Sequence, residues 1–351
     1  MEKKKSKISV IVPMYNVDEY IKETLDSLVN QTFTEVEYIL IDDNSSDGTF
    51  EIASKYVDEF PNITIIRNEF NEGISAVRNQ GIDISCGDYI FFLDGDDFLS
   101  VDALEIMYNA AIKNDADLIT GLHNMYHKNE SLLSDVYEQF PGLSTPGIKD
   151  IFSTPDLFYL IFCWGKLYKR ELVKHVRFPE KINYCEDQPF TVYAYLNAKK
   201  IYTVSSVIYF YRQREGQTKS LTQLIYSEQI QSLNNVIKVI KISEQYFYDS
   251  KINNEELKFK LLIYYINRVL LWNVWPILAS GLAEHNRSNF VKLLGIMNKW
   301  ISSLDNKYVK EVAGIQVILK EVSKFISSFD SKTLDVFRQL LYNTKEKMAV
   351  G

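Results

Sequence analysis

Tyr89-Ile90-Phe91-Phe92-Leu93-Asp94-Gly95-Asp96-Asp97 decides the reading of the chain. Five consecutive apolar residues make a run short enough for a strand buried on both faces. Three carboxylates follow at its carboxyl end. Like charges crowded at the mouth of a buried strand repel one another, and hard divalent cations, which take oxygen ligands and often bridge to phosphate, relieve that repulsion. Gly95 lets the backbone turn tightly and lets a ligand approach. The same residues also read as an acidic turn that caps a helix starting near Val101.

Working outward, the same grammar recurs. Ile8 to Val12 is a short β-branched run. Asp18 is an N-cap candidate for a helix carrying Ile21, Leu25 and Leu28 at helical spacing. Glu37 to Ile41 reads as a strand ending in Asp42-Asp43-Asn44-Ser45-Ser46-Asp47-Gly48. A helix (Phe50 to Phe60), a strand (Ile63 to Arg67) and a helix (Ile74 to Ile82) lead to the stretch quoted first. Val101 to Asn114 is a further helix, and Leu118-Ile119 begins a fifth strand. Such alternation predicts an α/β fold, a mostly parallel sheet with helices on both faces. Ligands in these sheets sit outside the carboxyl ends of the strands. Pro13-Met14-Tyr15-Asn16, Asp42-Asp43 and Asp94 to Asp97 all fall at such ends.

Further along, His123 to Thr154 reads as irregular, with Pro141-Gly142 and Pro146-Gly147. Short elements return from Leu157, including a helix over Lys169 to Val173, and Ser206 to Arg212 is strand-like. From about Gln223 apolar residues recur every three to four positions with few Gly or Pro, which predicts an all-helical module. The expected division is an α/β domain over 1–222, with a donor region at 8–97 and an acceptor and base region at 150–216. A helical domain over 223–351 would serve acceptor binding or oligomerisation.

Composition excludes several classes. The formal net charge of −7 argues against a nucleic-acid binder. Cys86, Cys163 and Cys185 show no metal spacing and fit a reducing, cytosolic compartment. The most apolar late stretch, Val269 to Ala283, contains Asn273 and Pro276 and is too short to span a bilayer. The expectation is a soluble, cytoplasmic chain, with peripheral attachment at the inner membrane face left open. Trp272 and Trp275 read as an oligomer contact, a membrane-surface face or the module's own core. No Gly-x-Gly-x-x-Gly follows the first strand and no P-loop is present. A diphosphate would therefore need a metal and cationic side chains.

The series Ile8 to Asn16, Ser27 to Phe33, Ile41 to Thr49, Asn71-Glu72-Gly73 through Ala76-Val77-Arg78-Asn79, and Phe92 to Asp97 resembles glycosyltransferase family 2 over residues 6 to 215. The resemblance implies a GT-A fold and an inverting transfer of a hexose or N-acetylhexosamine from a UDP-sugar. It implies that Pro13, Tyr15, Asp43 and Arg78 contact the uracil with Asn71 nearby, that Asp94 holds the ribose, and that Asp96 binds Mn²⁺ or Mg²⁺. Asp97 reads as a structural cap, and Asp42 as either ligand or support. In Glu186-Asp187 the resemblance implies that Asp187 is the base and that Glu186 orients it or the acceptor; without it, the pair reads as an N-cap ahead of Pro189. Trp164 and Lys166, in Trp164-Gly165-Lys166, are candidate donor or acceptor sugar contacts, with a core tryptophan as the alternative. Arg212 and Arg214 begin a polar loop that either closes on the diphosphate or is simply solvated. The segment Tyr211 to Gly216 looks like that of the teichoic-acid-modifying branch, which implies a glycan or polyol-phosphate polymer as acceptor. The competing readings are a sugar-phosphate nucleotidyltransferase and a non-catalytic carbohydrate-binding or assembly subunit.

Overall fold

The computed structural model describes residues 6–214, 227–283 and 287–349. The chain forms two compact units. One holds residues up to 182 and 186–216, and the other holds Asn183–Cys185 with residues from 217 onward. The expected boundary at 222/223 lies outside the described residues.

In the first unit β1 (Ile8–Met14), α1 (Ile21–Val29), β2 (Val36–Asp42), α2 (Thr49–Glu59), β3 (Ile63–Arg67), α3 (Ile74–Ile84) and β4 (Tyr89–Phe92) follow the order the periodicity predicts. All seven residues of β1 are buried. Ile8, Val10 and Val12 pack in one core with Ile21, Leu25 and Leu28 of α1. Each such side chain contributes roughly 1.5–3 kcal/mol on full burial, enough to fix which face of β1 meets α1. Ile11 meets α3 instead, where a Cβ at Gly81 would lie 2.4 Å from Ile11 Cγ2, so glycine is required for the helix to seat. Asp18 does not cap α1. The helix begins at Ile21 without a side-chain cap, and the Asp18 carboxylate accepts from the Gly48 amide at 3.3 Å.

The strands β3, β2, β1 and β4 lie side by side and parallel, so chain direction reverses its progress between β1 and β4. Pairing of β1 with β4 ends at Ile11↔Phe92, whereas pairing with β2 continues to Met14↔Asp42. Pro13 therefore sits beyond the β4 ladder, where its missing N–H is not needed. The neighbouring strands β1 and β4 bring their carboxyl ends together at the topological switch, where ligands of such sheets bind.

Beyond β4 the sheet is mixed. It continues through β5 (Phe98–Leu99), α4 (Ala103–Asn114), β6 (Leu118–His127), β7 (Glu130–Leu133), α5 (Val136–Gln139), β8 (Gly147–Lys149), β9 (Lys166–Lys169), α6 (Arg170–Val173), α7 (Gln188–Asn197) and β10 (Ile201–Arg212). The strand β9 runs antiparallel to both β4 and β6. The region expected to be irregular from His123 holds the end of β6 and a hairpin to β7. Its two-residue turn is Lys128-Asn129, both at positive φ (50° and 63°), which lacks the Asn-Gly signature of such turns. The last strand starts at Ile201, and a register shift between Thr203 and Val207 spans the polar Ser205-Ser206 that hid its first half.

The second unit is helical among its described residues beyond Cys185: Gln229–Asp249, Glu255–Val269, a π-helical turn at Leu270–Val274, Trp275–Ala283, Arg287–Ser303, Asn306–Glu311, Ala313–Ser323 and Ser331–Ala349, with a 3₁₀ turn at Ile326–Ser328. Asn273 in the π turn donates to Tyr184 Oη and Cys185 Sγ, which ties the excursion Asn183–Cys185 to this unit. The helical run Glu255–Leu282 is longer than the 269–283 stretch suggested, because the helix extends upstream of the most apolar residues. By length and composition it is sufficient to cross a membrane, while 67% of its most apolar window is buried by the protein itself, as in a core helix. Trp272 is exposed with Arg268 over its ring, and Trp275 is half-buried.

Candidate active site

The Asp94–Asp97 turn lies against the carboxyl ends of β1 and β4. A Cβ at Gly95 would lie 2.9 Å from the Pro13 carbonyl oxygen, so the turn rests directly on the end of β1. Each carboxylate then meets a different partner. Asp97 is buried and accepts from Tyr209 Oη (2.7 Å) and the Arg212 amide (2.7 Å). It stitches the turn to β10 and is structural, though it does not cap α4. Asp96 is half-buried and accepts from Arg214 Nε at 2.6 Å. Its carboxyl is raised by burial, with Asp94 adding and Arg214 opposing. Asp94 accepts from Arg78 at 2.8 Å.

Arg78, on α3, is the hub. It is 2% exposed, and its second amino group donates to Glu186 Oε1 at 2.8 Å. Arg78 was expected to read uracil; its guanidinium is enclosed and joins the β4 turn to the Glu186-Asp187 pair. Asp187 stands at the N-cap of α7 without capping it, and Pro189 occupies the first turn. Its Oδ2 accepts instead from the Cys163 amide at 3.2 Å. Burial, then the Glu186 charge, raises its carboxyl to about 7 against the pull of Arg78. A carboxyl poised near neutrality suits a general base.

The base-reading set divides. Tyr15 is 48% exposed and Asn71 is exposed, so both present their side chains outward. Pro13 is buried. Asp43 is also buried, and its oxygens accept from Asn68 Nδ2 and the amides of Glu72 and Gly73. It shapes the loop that carries Asn71. Asp42 is a support, fully buried and paired with Arg67. Arg212 donates from Nε to the Asp96 carbonyl at 2.7 Å and borders a polar cavity of about 620 Å³ lined also by Tyr20, Tyr126 and Lys128. The loop beyond Arg214 lies outside the described residues.

Two expected sugar contacts are interior. Trp164 is 8% exposed and stacks on Phe162 and Tyr209, with ring centroids 3.7 and 4.5 Å away. Lys166 is fully buried.

The donor set fits a divalent cation in one way. Among the described residues no group of three or more His, Cys, Asp or Glu is arranged to hold a metal alone. Asp96 and Asp94 offer two neighbouring carboxylates, each with one oxygen paired to an arginine, Arg214 and Arg78. Ions such as Mg²⁺ commonly bind through one or two carboxylates and complete their shell with substrate phosphates and water.

The model of glycosyl transferase family 2 matches residues 9–177. A cholesterol galactosyltransferase of Borreliella burgdorferi is 30% identical over 286 residues, covering 77% of this chain and 78% of that protein. The chain belongs to glycosyltransferase family 2. A poly(ribitol-phosphate) beta-glucosyltransferase of Bacillus spizizenii is 32% identical over 277 residues, 75% of this chain. The chain spans 40% of that relative's length, and between 31% and 64% of two further curated relatives. The fold is that of S. aureus TarS 1–349, solved in complex with UDP-GlcNAc, at a TM-score of 0.75 and 22% identity over 97% of this chain and 92% of that one. The GT-A architecture expected from the motifs is thus the one observed.

Two members of this family 2 site escaped the sequence reading. Tyr209 accepts from the Asp94 amide (3.3 Å) and donates to Asp97. Cys163 offers its amide to Asp187. No motif marks either one. The alternation of Tyr209 and Tyr211 along β10 was the available signal for the first, and a backbone donor leaves none for the second.

Proposed function

We propose that this chain transfers a hexose or N-acetylhexosamine from a UDP-sugar to a hydroxyl of a surface polymer, a teichoic acid or related glycan, with inversion at the anomeric carbon. The observation that carries the reading is the chain Asp94–Arg78–Glu186 beside Asp187. One buried guanidinium holds the donor-side turn and the base-bearing pair in a fixed relation. In this reading Asp187 takes the proton of the attacking hydroxyl. Glu186, held by Arg78, keeps the local charge that makes Asp187 basic near neutrality. Asp96, with Asp94 beside it, would hold Mn²⁺ or Mg²⁺, which neutralises the diphosphate of the leaving UDP. Arg214 pairs with the Asp96 carboxylate and Arg212 meets the Asp96 carbonyl, so both add positive charge there. Tyr15 and Asn71 face the nucleoside end. The two poly(ribitol-phosphate) and galactosyl relatives support a glycosyl donor, and the TarS likeness supports UDP as its carrier. Self-association through the helical unit and peripheral membrane attachment belong to the proposal as separate questions for light scattering and vesicle sedimentation. The test is UDP release from a panel of UDP-sugars with purified protein, Mn²⁺ and a ribitol-phosphate polymer. Release that depends on both metal and polymer supports the reading. Binding of UDP without turnover across the panel sinks it in favour of a non-catalytic subunit.

A further inference from the structure

Lys166 is a fully buried cation without a carboxylate partner among the described residues. It sits in β9 with 0% exposure. Its Nζ donates to the carbonyls of Phe162 (2.8 Å) and Trp164 (3.4 Å) and lies 3.9 Å from the centre of the Phe162 ring. Two residues on, Tyr168 Oη donates to the carbonyl between them, that of Cys163, at 3.0 Å. Three consecutive carbonyls are thus tied by two side chains of one strand. Gly165, at φ +64°, makes the turn into that strand. The peptide held in this way carries the Cys163 N–H that donates to Asp187 Oδ2.

A methionine or leucine would fill the same space without the desolvation cost of an ammonium. A buried lysine kept beside carbonyls and a ring calls for a reason. We infer that Lys166 is a positioning residue for Asp187: it holds the Phe162–Trp164 turn so that the Cys163 amide meets the carboxylate, and its charge favours the ionised form of the base. This rests on the assignment of Asp187 as the base. The surroundings agree. Burial lowers the Lys166 amine to about 7, with Cys163 and Asp187 opposing. Glu186, Arg78 and Asp94 act on Asp187, with the Cys163 thiol beside them, and Lys166 and Asp187 act on each other. His123 of β6, whose ring meets Phe162 edge-on at 5.0 Å, is kept neutral by burial and by Lys166 itself.

The test uses the full chain and compares Lys166→Met, Asp187→Asn and the double variant. Lys166→Met should leave UDP affinity within about twofold and lower kcat by at least about tenfold. It should also move the acid limb of the kcat profile upward by about half a pH unit or more, because the favourable charge on Asp187 is gone. In the Asp187→Asn background, Lys166→Met should change residual transfer by less than about twofold, since both act through one group. Tyr168→Phe, which keeps the volume and removes one tie to the turn, should lower kcat a few-fold at unchanged UDP affinity. An unmoved acid limb in Lys166→Met, additive losses in the double variant, or unchanged kcat in Tyr168→Phe each overturns the inference. Full transfer by Asp187→Asn alone is a different result: it removes the base assignment itself.

Discussion

Arg78→Met separates the two roles open to that residue. Arg78 donates at 2.8 Å to Asp94 and at 2.8 Å to Glu186, and it is 2% exposed. Replacing it leaves two carboxylates in a buried site without their shared cation. Breaking a buried ion pair by removing one partner costs about 3–5 kcal/mol. For a unit of roughly this size each kcal/mol moves Tm by about 2–4 °C, so the melt should fall by roughly 6–20 °C. Adding Glu186→Gln removes one stranded charge and should restore part of the loss, a coupling that two independent sites would not show. Arg78 also opposes the upward pull on Asp187, so the acid limb of kcat should move to higher pH in Arg78→Met. Calorimetry gives the melt and a UDP titration gives the affinity. A bridge predicts a large fall in Tm with modest change in UDP affinity at temperatures where the variant is folded. A Tm within about 3 °C of the parent, with UDP affinity down more than tenfold, would refute the bridge and return Arg78 to the nucleobase.

Asp96→Asn should fold and lose at least about a hundredfold in turnover, since a metal ligand and its charge are each worth several kcal/mol in the transition state; full activity in the variant, or in parent protein with excess chelator, contradicts the assignment. The base must be ionised to act, so with Asp187 at about 7 kcat should rise through neutrality and fall about tenfold per unit below it; a flat profile from pH 5 to 8 excludes Asp187. The same raised carboxyl has a stability sign: the folded state holds its proton to higher pH than the unfolded chain, so its contribution is lost as pH rises toward about 7. Asp187→Asn should therefore melt higher than the parent at pH 8, and an equal or lower melt argues that the carboxylate is not held in so costly an environment. Gly95→Ala places a Cβ 2.9 Å from the Pro13 carbonyl and must displace the Asp94–Asp97 turn; a fall in kcat of about 10–100-fold is expected from misplacement of that order, and parental kinetics would show the turn to be tolerant.

The parallel half of the sheet was legible because its signals are local. Runs such as Ile8 to Val12 and Ile63 to Arg67 declare strands by themselves, and β3 was bounded to the residue. The mixed half was not. The hairpin at Lys128-Asn129 uses left-handed backbone at two residues that carry no turn signature, and β9 is four residues long, too short to show a period. Its place between β4 and β6 is a tertiary fact: Lys166 and Tyr168 alternate with Leu167, and only the assembled sheet reveals that the polar pair faces a turn rather than water.

The site divides along the same line. Motifs singled out the carboxylates as a group, because like charges at strand ends are visible in a sequence. They assigned Arg78 and Asp43 to the ligand because a polar residue beside a strand end looks available. Availability depends on what lies a hundred residues away. The Arg78 guanidinium is taken by Glu186, 108 positions on, and Asp97 by Tyr209, 112 positions on. Lys166 shows the converse. Beside Trp164 it looked like a surface contact, yet its position on a four-residue central strand sends it inward. The consequence is mechanistic. A family motif marks where charge gathers at the strand ends, while long-range pairing decides which of those charges is turned to a neighbour. In this chain the pairing sorts a row of candidate ligands into a half-buried carboxylate pair, each member held by an arginine, a buried carboxyl raised to about 7, and two buried cations beside them.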